Sequence, residues 1–213
     1  MRIIGGTFRG RRLRYDGDPV VRPMKHRTRE AIFNLVSTES EGRHAIDLFA
    51  GTGALGLEAL SRGALSATFI EKHIPSARMV GENIRTLAVE DRAVLLKTSA
   101  FLWAKRDLAS EATAPPFDIP WLVFCSPPYS FFVDRLEEMR DLVERIQQHA
   151  PAESALVVEG DERLDLRLLQ HASSEDVLSQ RPAAAVVEST DETPAGWNVR
   201  YYPPAVVGIW RKL

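Results

Sequence analysis

A chain of 213 residues, 45% hydrophobic and 26% charged, is long enough for one α/β domain with a full core and a small addition, and its composition is that of an ordinary globular protein. One cysteine, Cys125, excludes an internal disulfide and a cysteine-rich zinc site, and the five histidines show no ligand spacing, so no metal is expected. The net charge of −2 hides an asymmetry: residues 1–29 hold nine Lys/Arg against two Asp, and the acidic excess lies downstream.

In chain order, the N-terminus is too short and polar for a signal peptide, and no run approaches about 18 apolar residues. A cytoplasmic monomer with no membrane partner is therefore expected. Residues 1–22 are rich in Gly and Arg and read as a hairpin of Arg2–Ile4 with Arg11–Tyr15 around Gly5-Gly6. This basic N-terminal appendage is taken as 1–26, leaving 27–213 as one domain. Residues 27–37 carry Ala31, Ile32, Leu35 and Val36 on one face of a helix.

Beyond Gly42 the pattern alternates, with strands expected at 44–49, 66–70, 93–97, 121–125 and 155–159 and helices at 54–62, 74–87, 99–108 and 131–148. Strand and helix in turn predict right-handed βαβ crossovers and a parallel, Rossmann-like sheet covered on both faces. Turn formers gather at 110–116, Ser189–Pro194 and Pro203-Pro204. In the tail, Ala184–Glu188 and Ala205–Arg211 are apolar and β-branched, which predicts a terminal antiparallel hairpin.

Two motifs carry chemistry. In Asp47-Leu48-Phe49-Ala50-Gly51-Thr52-Gly53-Ala54-Leu55-Gly56, three glycines satisfy G-x-G-x-x-G at a strand-to-helix junction, and Glu71 follows a second strand. The glycines alone suit a nicotinamide dinucleotide or S-adenosylmethionine. Asp47 favours the second, because a carboxylate repels a pyrophosphate and attracts an ammonium and a sulfonium. The other motif ends the apolar run 121–125 with Ser126-Pro127-Pro128-Tyr129. Two prolines force the chain out of the strand and put the tyrosine where open α/β sheets bind ligands. Cys125, in the run itself, is expected to pack as a small hydrophobe.

Both motifs resemble those of the class I methyltransferases, Asp-x-Phe-Ala-Gly-Thr-Gly as motif I and the tetrapeptide as the Asp/Asn-Pro-Pro-Tyr/Phe of amine-methylating enzymes. Arg2-Ile3-Ile4-Gly5-Gly6-Thr7-Phe8-Arg9-Gly10-Arg11-Arg12-Leu13, Arg22-Pro23, Arg29–Asn34 and Gly56–Arg62 resemble one family in particular. These are the bacterial enzymes, called RsmD, that methylate a guanine N2 amine in 16S ribosomal RNA. The resemblance is strongest over 1–72 and weaker from 135 onward.

It implies a seven-stranded sheet closed by a C-terminal antiparallel hairpin, S-adenosylmethionine as cofactor and small-subunit ribosomal RNA as partner. It assigns Asp47, Phe49, Ala50, Gly51, Thr52, Gly53, Glu71, Lys72, Ser99 and Ala100 to the cofactor, with Glu71 on the ribose hydroxyls. Ser126, Pro127, Pro128 and Tyr129 would hold the target base, and Arg9, Arg11, Arg12, Arg14 and Arg22 the RNA phosphates. Ser99 is open to two readings, an acceptor for the adenine amine or a helix N-cap.

Four positions depart from the family pattern. Ser126 replaces Asp/Asn, Met24 follows Arg22-Pro23 where Thr is usual, His26 stands where an acid is common, and Ser99 replaces an acid or amide. His26 is expected at the surface and Phe101 in the core. The departures support an alternative, a family member that binds RNA or the ribosome without transferring a methyl group.

Overall fold

The computed structural model describes residues 1–17, 24–108, 110, 115–169 and 196–213. The chain runs α1 (His26–Val36), β1 (His44–Asp47), α2 (Ala54–Ser61), β2 (Ser66–Ile70), α3 (Ile74–Leu87), β3 (Ala93–Leu96), α4 (Ala100–Arg106), β4 (Trp121–Cys125), α5 (Phe131–Asp134), α6 (Leu136–His149), β5 (Ala155–Gly160), β6 (Trp197–Tyr202) and β7 (Ala205–Arg211). One seven-stranded sheet has the order β3-β2-β1-β4-β5-β7-β6. Its first five strands are parallel, and β7 lies antiparallel between β5 and β6. This is the expected class I methyltransferase sheet.

β4 and the first four residues of β5 are unbroken apolar runs because both faces of these strands are covered. In β4, Leu122 and Phe124 enter the core under α1, α2 and α3, while Trp121, Val123 and Cys125 enter the core under α4 and α6. β5 divides in the same way, Ala155 and Val157 against Leu156 and Val158. Cys125 is buried, and burial pushes its thiol up.

The terminal hairpin differs from the expected one. β7 pairs with Trp197–Tyr202, joined through Pro203-Pro204, and residues 184–188 and 189–194 lie outside the described residues. β6 is an edge strand with one covered side, so it alternates Trp197 and Val199 with Asn198 and Arg200 and lacks the apolar signal of a central strand. Most other boundaries move by a residue or two, and two of the shifts shape the site. β1 stops at Asp47 because Leu48–Ala50 turn into the glycine loop, and the helix expected over 131–148 breaks at Arg135, whose backbone (φ −135, ψ 33) leaves the helical region. Among the described residues, no helix is long and apolar enough to cross a membrane.

The N-terminal arm is a looser hairpin than expected, with one antiparallel bridge, Arg2 to Arg12, flanked by Ile3 N–H to the Arg11 carbonyl (3.0 Å) and Leu13 N–H to the Met1 carbonyl (3.0 Å). Glu58 of α2 is fully buried and accepts the N–H groups of Ile4 (2.8 Å) and Gly5 (2.7 Å) and Arg62 Nε (2.9 Å). Buried Arg29 of α1 lies 3.9 Å from the same carboxylate and donates to the Arg2 carbonyl (2.6 Å). Removing one member of such a buried pair costs roughly 3–5 kcal/mol, since the other is left uncompensated. The arm is thus fixed to α1 and α2, with Ile3 and Leu13 buried in the core beneath.

Candidate active site

The carboxyl ends of β1, β2, β4 and β5 form one edge of the sheet, where ligands of open α/β folds bind. On the β1–β2 side, carboxylates hold the glycine loop through its backbone. Asp47 Oδ2 accepts the Gly56 N–H (3.1 Å), and the Glu71 oxygens accept the N–H groups of Gly51 (2.8 Å) and His73 (2.8 Å). Gly51 has φ 54, a left-handed conformation that glycine adopts without strain. A Cβ at Gly56 would strike the Phe69 ring, so this glycine lets α2 lie directly on β2.

Asp47 is only 2% exposed, and burial, partly offset by the Gly56 bond, pushes its carboxyl up to about 7. It braces the loop from beneath. Ala50 and Thr52 are buried in the loop, Phe49 is half-buried and Lys72 is exposed. The Thr52 carbonyl is held by the Nδ2 of buried Asn83 (2.9 Å), which also bonds the Arg14 carbonyl (3.1 Å), while Asn83 Oδ1 accepts the Arg14 N–H (2.6 Å).

Ser99 occupies the N-cap position of α4, yet its side chain makes no capping hydrogen bond, and Ala100 behind it is buried. Beside them stands an aromatic wall. Phe49, Phe101 and Phe131 form a triangle with centroid separations of 5.8, 5.9 and 6.2 Å. Arg135 lies over it, 4.2 Å from the Phe101 centroid and 4.8 Å from that of Phe131, and is itself held by a two-pronged pair with Glu138 (2.6 and 2.7 Å). Phe101 is buried as expected, and the break between α5 and α6 is what presents Arg135 to this wall.

On the β4–β5 side, carboxylate chemistry reaches side chains. Cys125 pairs with Val158, so the next residues, Ser126 and Glu159, come side by side. Ser126 Oγ donates to Glu159 Oε2 (2.6 Å) and Tyr129 Oη donates to Glu159 Oε1 (2.6 Å). Glu159 is 2% exposed; burial raises its pKa, and the two hydroxyl bonds act against that rise. Burial and the bond to Glu159 raise the Tyr129 phenol as well. Pro127 is buried and Pro128 exposed, and the Pro128 carbonyl accepts the Phe131 N–H (2.9 Å), turning the chain into α5. Sequence reasoning passed over Glu159, although the expected strand 155–159 ends on it and Ser126 follows the end of the neighbouring one.

The basic residues of the arm divide. Arg14 pairs with Glu82 (2.7 Å), and Arg11 donates to the Thr86 carbonyl. Arg9 and Arg12 are exposed and pair with no carboxylate among the described residues; with Arg2, His26 and Glu30 they line an open hollow of about 670 Å³. His26 is at the surface, 3.9 Å from Glu30, and Met24 packs half-buried against the core. Arg22 and Pro23 lie outside the described residues.

Residues 1–178 match a family model described as conserved hypothetical protein 95. The chain belongs to this family. Ribosomal RNA small subunit methyltransferase D of Escherichia coli strain K12 is 38% identical over 144 residues, covering 68% of this chain and 67% of that protein. The protein of the same name from Haemophilus influenzae is 34% identical over 132 residues, covering 62% and 65%. A solved hypothetical protein from Thermus thermophilus superposes with a TM-score of 0.69 at 22% identity, covering 99% of each chain, a likeness of fold. The family resemblance drawn from the motifs therefore holds, and the protein is an RsmD-like methyltransferase.

Proposed function

We propose that the protein transfers a methyl group from S-adenosylmethionine to an exocyclic amine of small-subunit ribosomal RNA, the N2 of a guanine. The observation that carries this reading is the placement of Ser126-Pro127-Pro128-Tyr129 at the end of β4, the strand paired directly with β1 and its glycine loop. An amine-orienting turn and a cofactor loop on adjacent strand ends are what methyl transfer between two bound molecules needs. The names of the two curated relatives support the RNA substrate.

The residues present fit S-adenosylmethionine. Glu71 offers a carboxylate at the end of β2 for the ribose hydroxyls, the Gly51–Gly53 turn keeps side chains away from the loop, and the Ser99 hydroxyl is not spent on its helix. The aromatic wall of Phe49, Phe101 and Phe131 suits the flat face of an adenine. When bound, the cofactor supplies an electrophilic methyl and its leaving group.

The chain's own part is positioning. An exocyclic amine is a weak nucleophile, its lone pair delocalised into the ring, and Ser126 would accept one of its N–H groups and aim the nitrogen. Tyr129 would stack on the base, which must first leave its own stack to enter. Arg9 and Arg12 would hold phosphates and fix the register of the RNA without reading sequence.

Incubating the protein with unmethylated small-subunit RNA and methyl-labelled cofactor tests the reading. Label is expected on guanine N2, with the rate falling roughly 100-fold in Tyr129→Ala as base positioning is lost. RNA binding without any transfer would make the protein an RNA-binding module instead.

A further inference from the structure

We propose that Glu159 is a positioning residue of the methyl-acceptor site: by accepting hydrogen bonds from the hydroxyls of Ser126 and Tyr129, it turns the Ser126 oxygen lone pairs toward the substrate amine. This role rests on the amine-methylation reading above and adds to it a residue from a strand outside the motif. An aspartate at position 126 could only accept, and an asparagine would offer a carbonyl oxygen. A serine hydroxyl accepts and donates, and it rotates to suit its neighbours. Left undirected, it could meet a substrate N–H with a proton of its own.

Glu159 removes that ambiguity. Its two oxygens each lie 2.6 Å from a hydroxyl and accept one hydrogen bond apiece, so both hydroxyl protons point at the carboxylate. The donated bond also polarises Ser126 Oγ and makes it a better acceptor. The same anchor fixes the outer end of the Tyr129 ring. The arrangement is built into the sheet: the β4–β5 register sets Ser126 beside Glu159, and the β5–β7 register seats Glu159 opposite Val207. With Glu159 only 2% exposed, the pair of bonds is shielded from solvent.

A coupling between positions 126 and 159 follows. Serine needs a carboxylate behind it. An aspartate in its place would set a second carboxylate against Glu159, and the two charges would repel. With a neutral partner behind it, the aspartate would orient the amine by itself.

Wild type, Glu159→Gln, Ser126→Asp and the double variant are compared for kcat on unmethylated small-subunit RNA, for cofactor affinity by calorimetry and for melting temperature. Proton NMR of the protein alone reads the hydroxyl protons of Ser126 and Tyr129. Glu159→Gln is expected to lower kcat roughly 100-fold with cofactor affinity unchanged, and to lose at least one protected hydroxyl resonance. Ser126→Asp alone is expected to fall about tenfold or more, and the double variant to recover to within about tenfold of wild type. A double variant no faster than Glu159→Gln would mean that Glu159 only supports the fold and would overturn the role, as would wild-type kcat in Glu159→Gln. Absence of transfer by the wild type on this RNA would overturn the amine-methylation reading itself, and the role of Glu159 with it.

Discussion

On the β1–β2 side of the sheet edge, Asp47 and Glu71 receive backbone N–H groups from Gly56, Gly51 and His73; on the β4–β5 side, Glu159 receives the side-chain hydroxyls of Ser126 and Tyr129. Both sides use a carboxylate at or just beyond a strand end, but what is held differs. Every residue except proline has a backbone N–H, so what the loop-side carboxylates hold is a backbone path, and the glycines matter for allowing that path rather than for any group they offer. The hydroxyl side depends on the identity of two residues. The departure from the family pattern at Ser126 falls on the side where a compensating carboxylate can matter.

Gly51 separates the two sides most. Gly51→Asp puts a side chain on a left-handed residue and a second carboxylate beside Glu71, and it is expected to weaken S-adenosylmethionine binding by roughly 100-fold or more in titration calorimetry. Unchanged affinity would remove the loop from the cofactor site.

Asp47→Asn asks whether the brace needs its charge. The amide oxygen can still accept the Gly56 N–H, so cofactor binding is expected to persist. Stability is where the two proteins part. Burial raises the Asp47 carboxyl from 3.8 to about 7, so its contribution is full below about 4 and is lost as pH rises toward 7. Relative to Asp47→Asn, the wild type should lose on the order of 3 kcal/mol between pH 5 and pH 8, read from urea unfolding. A pH-independent difference would mean that the carboxylate is ionised throughout.

The smallest effect belongs to the arm. Arg12→Ala should weaken RNA binding severalfold and lower the slope of log affinity against log salt by roughly 1, whereas Arg14→Ala, whose cation already faces Glu82, should change the slope less. Equal changes would mean that phosphates displace Glu82.

β4 and β5 were legible because burial on both faces leaves apolar runs, and the glycine loop because its turn tolerates few other residues. The edge strand Trp197–Tyr202 was not, since a strand with one covered side reads half polar. Arg135 was hidden inside a convincing helical pattern, because nothing in 131–148 but the stacking of its guanidinium marks the break. Glu159 was hidden for another reason. Its meaning lies in the register between β4 and β5, and register joins residues 33 positions apart that no local pattern connects.

Asn83, fully buried in α3, grips the arm at Arg14 with one bond in each direction and the glycine loop at Thr52 with a third. The arm is therefore not a portable handle. Cut away, it would leave the Asn83 amide with Thr52 alone and take from the buried Glu58 carboxylate the two backbone N–H groups that it accepts from the arm. A chimaera that aims to change which RNA is gripped must carry positions 58 and 83 along with the graft.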